Sequence, residues 1–115
     1  MRNLACVLMA AAAASACISD PKPPGSVSVY KSLGSLQCGA GGASVDTLEA
    51  QLRAAGVAVR ATACGTDGRM RPAVCGAPDG RIGIFDVPAS QRRQALAQGY
   101  SLLASLPDAQ RVACR

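Results

Sequence analysis

The chain has 115 residues and a formal net charge of +5, with 12 basic and 7 acidic side chains and no histidine. A chain of this length builds one small domain with a thin core, because only three residues are aromatic. The absence of histidine excludes a serine–histidine pair, and arginines that are not interleaved with aromatic residues argue against a nucleic-acid partner.

The first 16 residues have the pattern of a secretory signal peptide. Arg2 precedes an uncharged apolar run from Leu4 to Ala14. That run is too short for a permanent membrane-spanning helix, which takes about 20 apolar residues. We therefore predict that residues 1–16 are removed before Cys17 and take no part in the fold.

The junction around Cys17 resembles the lipobox of bacterial lipoprotein precursors. The segment Ala14-Ser15-Ala16-Cys17 carries that likeness, with Ala14 where the family usually has leucine. The resemblance implies lipidation of Cys17 with fatty acyl chains such as palmitate, and Ile18 at the next position implies the periplasmic side of the outer membrane. The alternative is ordinary signal cleavage, which would give a soluble periplasmic or secreted protein.

The number of cysteines supports the lipid anchor. Cys6 leaves with the signal peptide, so Cys17 and four other cysteines remain. An odd thiol in an oxidising compartment needs a role, and a lipid on Cys17 leaves an even number for two disulfides, each contributing about 2–4 kcal/mol. Four cysteines allow three pairings: the predicted pairs are Cys64 with Cys75 and Cys38 with Cys114, and the alternative pairs are Cys38 with Cys64 and Cys75 with Cys114.

A proline-rich tether follows the proposed lipid attachment. Residues 17–25 contain three prolines and no periodic pattern, which is typical of an extended linker. The predicted domain therefore comprises residues 26–115.

The first half of this domain is predicted to be a strand–helix–strand unit. Residues 26–33 alternate and contain β-formers, which indicates a strand. Residues 44–56 place apolar side chains at helical spacing, with Asp46 predicted as the cap and Glu49 three residues later. Residues 57–64 are predicted to form the next strand.

The second half repeats this order. Its predicted elements are a strand at 81–87, a helix at 88–99 and a strand at 100–106. Both predicted helices end at a glycine that leads into the next strand. The repetition predicts an α+β domain of the ferredoxin-like βαββαβ type, with the helices on one face of an antiparallel sheet. The alternative is a three-stranded α+β domain that lacks the last strand.

The connection between the two halves carries turn signals. Asp-Gly steps at residues 67–68 and 79–80 are typical of turns, because glycine accepts a positive φ. Between them, residues 69–75 are expected to add a short strand, which Pro72 would confine to a sheet edge.

The sequence contains no arrangement typical of catalysis or metal binding. Cys64 and Cys75 are too far apart for a zinc knuckle or a Cys-x-x-Cys redox motif. Lys22 and Lys31 lie outside any Ser-x-x-Lys motif. We therefore expect a protein that is not an enzyme and that binds neither metal nor cofactor.

Two further resemblances bear on function. The segment LEAQLRAAGVAV, residues 48–59, and the βαββαβ order resemble sporulation-related (SPOR) domains. That likeness implies peptidoglycan binding but assigns no binding residue. The segments YKSLGSLQC, CGTDG and DGRIGIF resemble short exported proteins of proteobacteria, which implies export and no activity. We expect an envelope lipoprotein that binds another protein or stabilises a complex, the alternatives being a SPOR-like peptidoglycan binder and an inhibitor or immunity protein against an envelope-acting enzyme.

Overall fold

The computed structural model describes residues 25–39 and 41–114. The predicted signal peptide, Cys17 and residues 17–24 of the predicted tether lie outside this part of the chain. The elements in chain order are β1 (Ser26–Ser32), α1 (Val45–Ala54), β2 (Ala61–Thr66), β3 (Arg81–Pro88), a 3₁₀ turn (Ala89–Gln91), α2 (Arg92–Ala97), β4 (Ser101–Leu102), a second 3₁₀ turn (Leu103–Ser105) and β5 (Gln110–Val112).

The five strands form one antiparallel sheet in the order β4-β1-β3-β2-β5. β3 lies at the centre, where Phe85 is opposite Val29 of β1 and Thr62 of β2. The described chain is thus a small α+β domain with a five-stranded antiparallel sheet and two helices, which confirms the predicted fold class.

Both faces of β3 are covered. On one face, Phe85 and Val87 pack with Leu48 and Leu52 of α1 and with Ala95 of α2. On the other face lies a smaller cluster of Ile82, Ile84 and Leu106. Residues 82–87 are accordingly all buried, and they are apolar or glycine except for Asp86.

The N-terminus of α1 is capped by Ser44, whereas the sequence pattern favoured Asp46. The Ser44 hydroxyl accepts a hydrogen bond from the Thr47 backbone N–H at 3.1 Å. Asp46 lies in the first turn, where a negative charge interacts favourably with the helix dipole. At the other end, Gly56 adopts φ +86°, the left-handed conformation that ends many helices.

Replacement of the capping serine should lower the free energy of unfolding. We expect Ser44→Ala to cost about 1 kcal/mol, because it leaves a helix N–H without a protein acceptor. Asp46→Ala, which removes only a charge near the helix end, should cost a few tenths up to about 1 kcal/mol at low salt. Urea denaturation of both variants tests this assignment, and a larger loss for Asp46→Ala would contradict it.

Several predicted boundaries differ from the structure. β2 begins at Ala61 because residues 57–60 bring Val57 and Val59 into the core beneath α1, outside the strand ladder. α2 is preceded by a 3₁₀ turn, β4 has two residues, and residues 69–75 form no strand. β5 was not predicted at all: it is three exposed residues that pair with β2.

The disulfides join Cys38 to Cys75 and Cys64 to Cys114, with Cα–Cα distances of 5.0 and 5.2 Å. Both pairings considered from the sequence are therefore wrong, although the four bridging cysteines are the expected ones. The first difference arises because the loop after β1 pairs with the β2–β3 connection. The second arises because β5 runs beside β2 and carries the chain terminus to Cys64.

Candidate functional site

The connection between β2 and β3, residues 67–80, forms an exposed loop that we term the Met70 loop. Residues 68–76 are exposed throughout, and Met70 has a relative exposure of 101%, the highest of the large apolar side chains in the described chain. Val74 on the same loop and Leu36 on the neighbouring loop are also exposed. Three exposed apolar side chains therefore lie on or beside one surface loop.

The Asp67 carboxylate holds the first half of the Met70 loop. It accepts a hydrogen bond from the Arg69 backbone N–H at 3.0 Å and forms an ion pair with the Arg71 guanidinium. The Asp67 N–H also donates to the Gly80 carbonyl at 2.9 Å, which closes the base of the loop. One aspartate thus fixes the residues on both sides of Met70.

Asp79 holds the other end of the loop. Its carboxylate accepts hydrogen bonds from the Arg81 N–H at 3.0 Å and from the Ser35 hydroxyl at 2.7 Å. Burial raises the pKa of Asp79, but these hydrogen bonds and the charge of Arg81 outweigh it and hold the pKa below its ordinary value. At both Asp-Gly steps the carboxylate accepts from the N–H two residues later, an Asx turn, and the glycine has the positive φ that the sequence predicted.

The loop after β1 supports the second half of the Met70 loop. The Gln37 side-chain amide donates to the Pro72 carbonyl at 2.9 Å, and the Gln37 carbonyl accepts from the Gly76 N–H at 3.1 Å. Next to these bonds, the disulfide between Cys38 and Cys75 joins the two loops covalently. Hydrogen bonds and a covalent bond thus tie this exposed segment to the loop after β1.

Gly68 allows this loop to lie close to the C-terminal segment. Its φ is +74°, and a Cβ at this position would lie 2.2 Å from the Asp108 carbonyl oxygen. Only glycine meets both conditions without displacing the backbone. The first turn of the Met70 loop therefore rests directly on the segment that leads into β5.

Acid should loosen the Met70 loop. Burial raises the pKa of Asp67, but the Arg69 N–H and the Arg71 guanidinium lower it by more, so the pKa lies below its ordinary value of 3.8. A depressed pKa means that the stabilisation is complete above about 3.8 and is lost as the pH falls through the folded-state pKa. The Arg69 amide resonance should report this change during titration from pH 5 to about 2.

A variant without the Asp67 charge serves as the control for that titration. Asp67→Asn should give an Arg69 amide signal that does not follow this acid transition. An Arg69 signal that moves in the same way in both proteins would contradict the role of Asp67 in holding the loop.

A concave feature lies beside the N-terminus of α1. It is an open cleft of about 500 Å³ between α1, β2 and the disulfide of Cys64 and Cys114. Its carboxylate Glu49 accepts hydrogen bonds from the Thr62 hydroxyl at 2.6 Å and from Arg53 at 3.0 Å, and these two bonds lower the pKa of Glu49. Glu49 therefore joins α1 to β2 and is held in its charged form.

The buried carboxylate of Asp86 also has structural partners. It accepts a hydrogen bond from the Ser28 hydroxyl at 2.5 Å, and Arg111 of β5 lies 3.9 Å away. These contacts link three strands of the sheet. Within residues 25–39 and 41–114, no three cysteine or acidic side chains come together as a set of metal ligands.

Sequence reasoning found the four bridging cysteines and the two turn aspartates, but it missed Met70 and Gln37. Lipidation of Cys17 concerns a residue outside the described part of the chain. Met70 could have been noticed as an apolar residue between two arginines inside a loop bounded by Asp-Gly turns. Gln37 gave no signal, because its role depends on a contact with residues far away in sequence.

Comparison with protein-family models finds no match, and comparisons with curated proteins and with solved structures find none either. In the part of the chain that the structure describes, neither helix has the length and apolar character needed to cross a membrane.

Proposed function

We propose that this protein is a non-enzymatic protein-binding module of the bacterial envelope and that the Met70 loop is its contact surface. The observation that carries the proposal is the complete exposure of Met70 on a loop whose backbone is fixed on both sides. An exposed apolar side chain on a rigid loop is suited to enter a pocket of a partner protein.

The energetics of association favour such an arrangement. Ordering a loop on binding costs about 0.5–1.5 kcal/mol for each immobilised side chain, and a preformed loop avoids part of that cost. Methionine is flexible and polarisable, so it fills pockets of varied shape. A few buried anchors usually supply most of the binding energy at a protein interface.

The assignment as a non-enzyme is supported by the partners of the acidic side chains. Glu49, Asp67, Asp79 and Asp86 each hold a hydroxyl, a backbone N–H or an arginine that maintains the fold. A general acid or base needs a proton that can be exchanged with a bound substrate. These four carboxylates are instead used to fix loops and strands.

We also propose that the chain is exported and anchored through a lipid on Cys17. Two disulfides are consistent with an oxidising compartment, and the lipobox-like segment accounts for the remaining cysteine. The intact mass of the mature protein tests this. A diacylglyceryl group on an N-terminal Cys17 together with four oxidised cysteines is expected, and an uncut chain with titratable thiols would contradict it.

For the topology, we propose the ferredoxin-like βαββαβ plan with β5 added at the edge. The order β4-β1-β3-β2 within the sheet and the alternation of strands and helices up to β4 support this proposal. The alternative of a SPOR-like peptidoglycan binder is based on the same order. The functional experiment must therefore distinguish binding to a protein from binding to the cell wall.

The function is tested by capture from an envelope extract with three forms of the oxidised protein: the wild type, Met70→Asp and the matched control Leu96→Asp. Leu96 is a partly exposed apolar residue on α2, outside the Met70 loop. We expect one partner to be retained by the wild type and by Leu96→Asp and lost with Met70→Asp. The purified partner should then show the same order of affinities.

Two outcomes would contradict the proposed function. Equal retention of every captured protein by all three forms would show that Met70 is not a contact. Co-sedimentation of the wild type and of Met70→Asp with purified sacculi, without a captured protein, would favour the peptidoglycan alternative.

A further inference from the structure

The backbone around Met70 lies outside the helices and strands of the domain. Residues 69–72 contain neither helix, turn nor bend, and every residue between Gly68 and Gly76 has a negative φ. Pro72 also restricts Arg71 to extended conformations. Extended segments bind by adding a strand to a partner, with alternate side chains entering pockets.

We infer that the Met70 loop is a reversible inhibitor of a serine endopeptidase with an apolar primary pocket, and that Met70 occupies that pocket. The inference rests on the proposed function, because it names the class of the protein partner. Met70 is the fully exposed apolar side chain on this segment. The bond that reaches the peptidase serine is then the one between Met70 and Arg71.

The contacts around this bond distinguish an inhibitor from a substrate. Before the bond, the Arg69 N–H is held by Asp67. After the bond, the Arg71 guanidinium is held by the same carboxylate and the Pro72 carbonyl by Gln37. If the bond opened, both new ends would stay in place.

The chemistry of opening and closing the bond is balanced. The serine Oγ bonds to the Met70 carbonyl carbon, the C–N bond to Arg71 breaks, and the serine proton passes through the peptidase base to the Arg71 nitrogen. Because that amine is held beside the acyl group, its effective concentration is high and the reverse step competes with water. Reversal reforms the peptide bond and returns the proton to the serine, with no other reactant.

The disulfide between Cys38 and Cys75 also holds the part of the loop that follows the bond between Met70 and Arg71. Cys75 lies four residues after Arg71, and its bond to Cys38 fixes the loop to the segment that carries Gln37. Opening the peptide bond therefore cannot release the part of the loop beyond Pro72. Without this disulfide, the same sequence should behave as an ordinary substrate.

The test uses chymotrypsin, whose primary pocket is apolar, and trypsin, whose pocket is acidic. We expect the oxidised chain to inhibit chymotrypsin competitively, with little net cleavage. Met70→Asp should raise Ki about 100-fold or more, because it places a charge in the apolar pocket. Met70→Leu should keep inhibition, and so should Leu96→Asp, the control for a charge placed on an exposed apolar residue outside the Met70 loop.

Two further measurements distinguish an inhibitor whose Met70–Arg71 bond enters the peptidase site from a protein that only blocks access to that site. A small fraction cut between Met70 and Arg71 should remain inhibitory, because both ends stay fixed. The variant Cys38→Ser/Cys75→Ser should be cut rapidly at the same bond. Analysis of the cleavage products by mass spectrometry identifies that bond in each case.

Each contrary result has a distinct meaning. Rapid cleavage of the wild type, or inhibition of trypsin alone through Arg69, would overturn the inhibitor inference. An absence of inhibition of chymotrypsin would also overturn it, and the proposed function would stand if Met70→Asp still lost its captured envelope partner. If Met70→Asp changed neither inhibition nor capture, the inference and the proposed function would both fail.

Discussion

The variant Cys38→Ser/Cys75→Ser is expected to lose about 4 kcal/mol of unfolding free energy, because the disulfide closes a loop between residues separated by 37 positions. It should also release the Met70 loop from the loop after β1. The amides of Gln37 and Gly76, which donate across these two loops, should then exchange faster with solvent hydrogen. Urea denaturation and hydrogen exchange measure the two effects.

The other disulfide supplies a matched control. Cys64 and Cys114 are separated by 50 positions, so Cys64→Ser/Cys114→Ser should lose a similar amount, about 4 kcal/mol. Its effect on structure should differ, because this bond secures the end of the chain beyond β5. Equal loss of protection at Gly76 in both variants would contradict a specific role of the Cys38–Cys75 bond in the Met70 loop.

The variant Phe85→Ala is expected to lose a large share of the free energy of unfolding. Phe85 is fully buried at the centre of the sheet and meets the Tyr100 ring edge-to-face at a centroid distance of 5.7 Å. Truncation of a buried phenylalanine costs about 3–5 kcal/mol, and small domains have only about 5–15 kcal/mol in total. Thermal denaturation followed by circular dichroism should show a large drop in Tm.

Gly83, which lies two residues before Phe85 in the same strand, shows how closely the Phe85 ring is packed. A Cβ on Gly83 would lie 3.0 Å from the Phe85 ring, so the ring occupies the space that this glycine leaves open. Leu96→Ala, at a partly exposed site on α2, serves as the control and should change stability by no more than about 0.5 kcal/mol. Comparable losses in the two variants would show that the core does not depend on Phe85.

The sequence predicted the elements whose signals are local. β1 and α1 lie within one or a few residues of their predicted bounds, because alternation and helical spacing are properties of neighbouring residues. α2 is shorter than predicted, and β4 has two residues where seven were expected. Short apolar segments near the end of the chain fit a strand or a 3₁₀ turn equally well, and packing against Ile82 and Ile84 selects the turn for Leu103.

The candidate site is formed by contacts between residues that are distant in sequence, and such contacts leave no local sequence pattern. The bridge between Leu36 and Pro78 joins loops more than forty residues apart, and it is this bridge that brings Cys38 to Cys75. β5 has three exposed residues without alternation, so neither the strand nor the bond from Cys64 to Cys114 could be predicted. The flanking arginines and Asp-Gly steps place Met70 in a loop, but its complete exposure follows from the position of that loop on the sheet.

The central claim is that Met70 is presented on a loop that is exposed and yet rigid. Nuclear magnetic relaxation of the backbone amides of Arg69, Met70, Arg71, Ala73 and Val74 in the oxidised protein tests this claim most directly. The expected order parameters are about 0.8 or higher, near those of the strands. Values below about 0.6 across this segment would mean that the loop is flexible in solution, which would contradict the claim that Met70 is held ready for a partner.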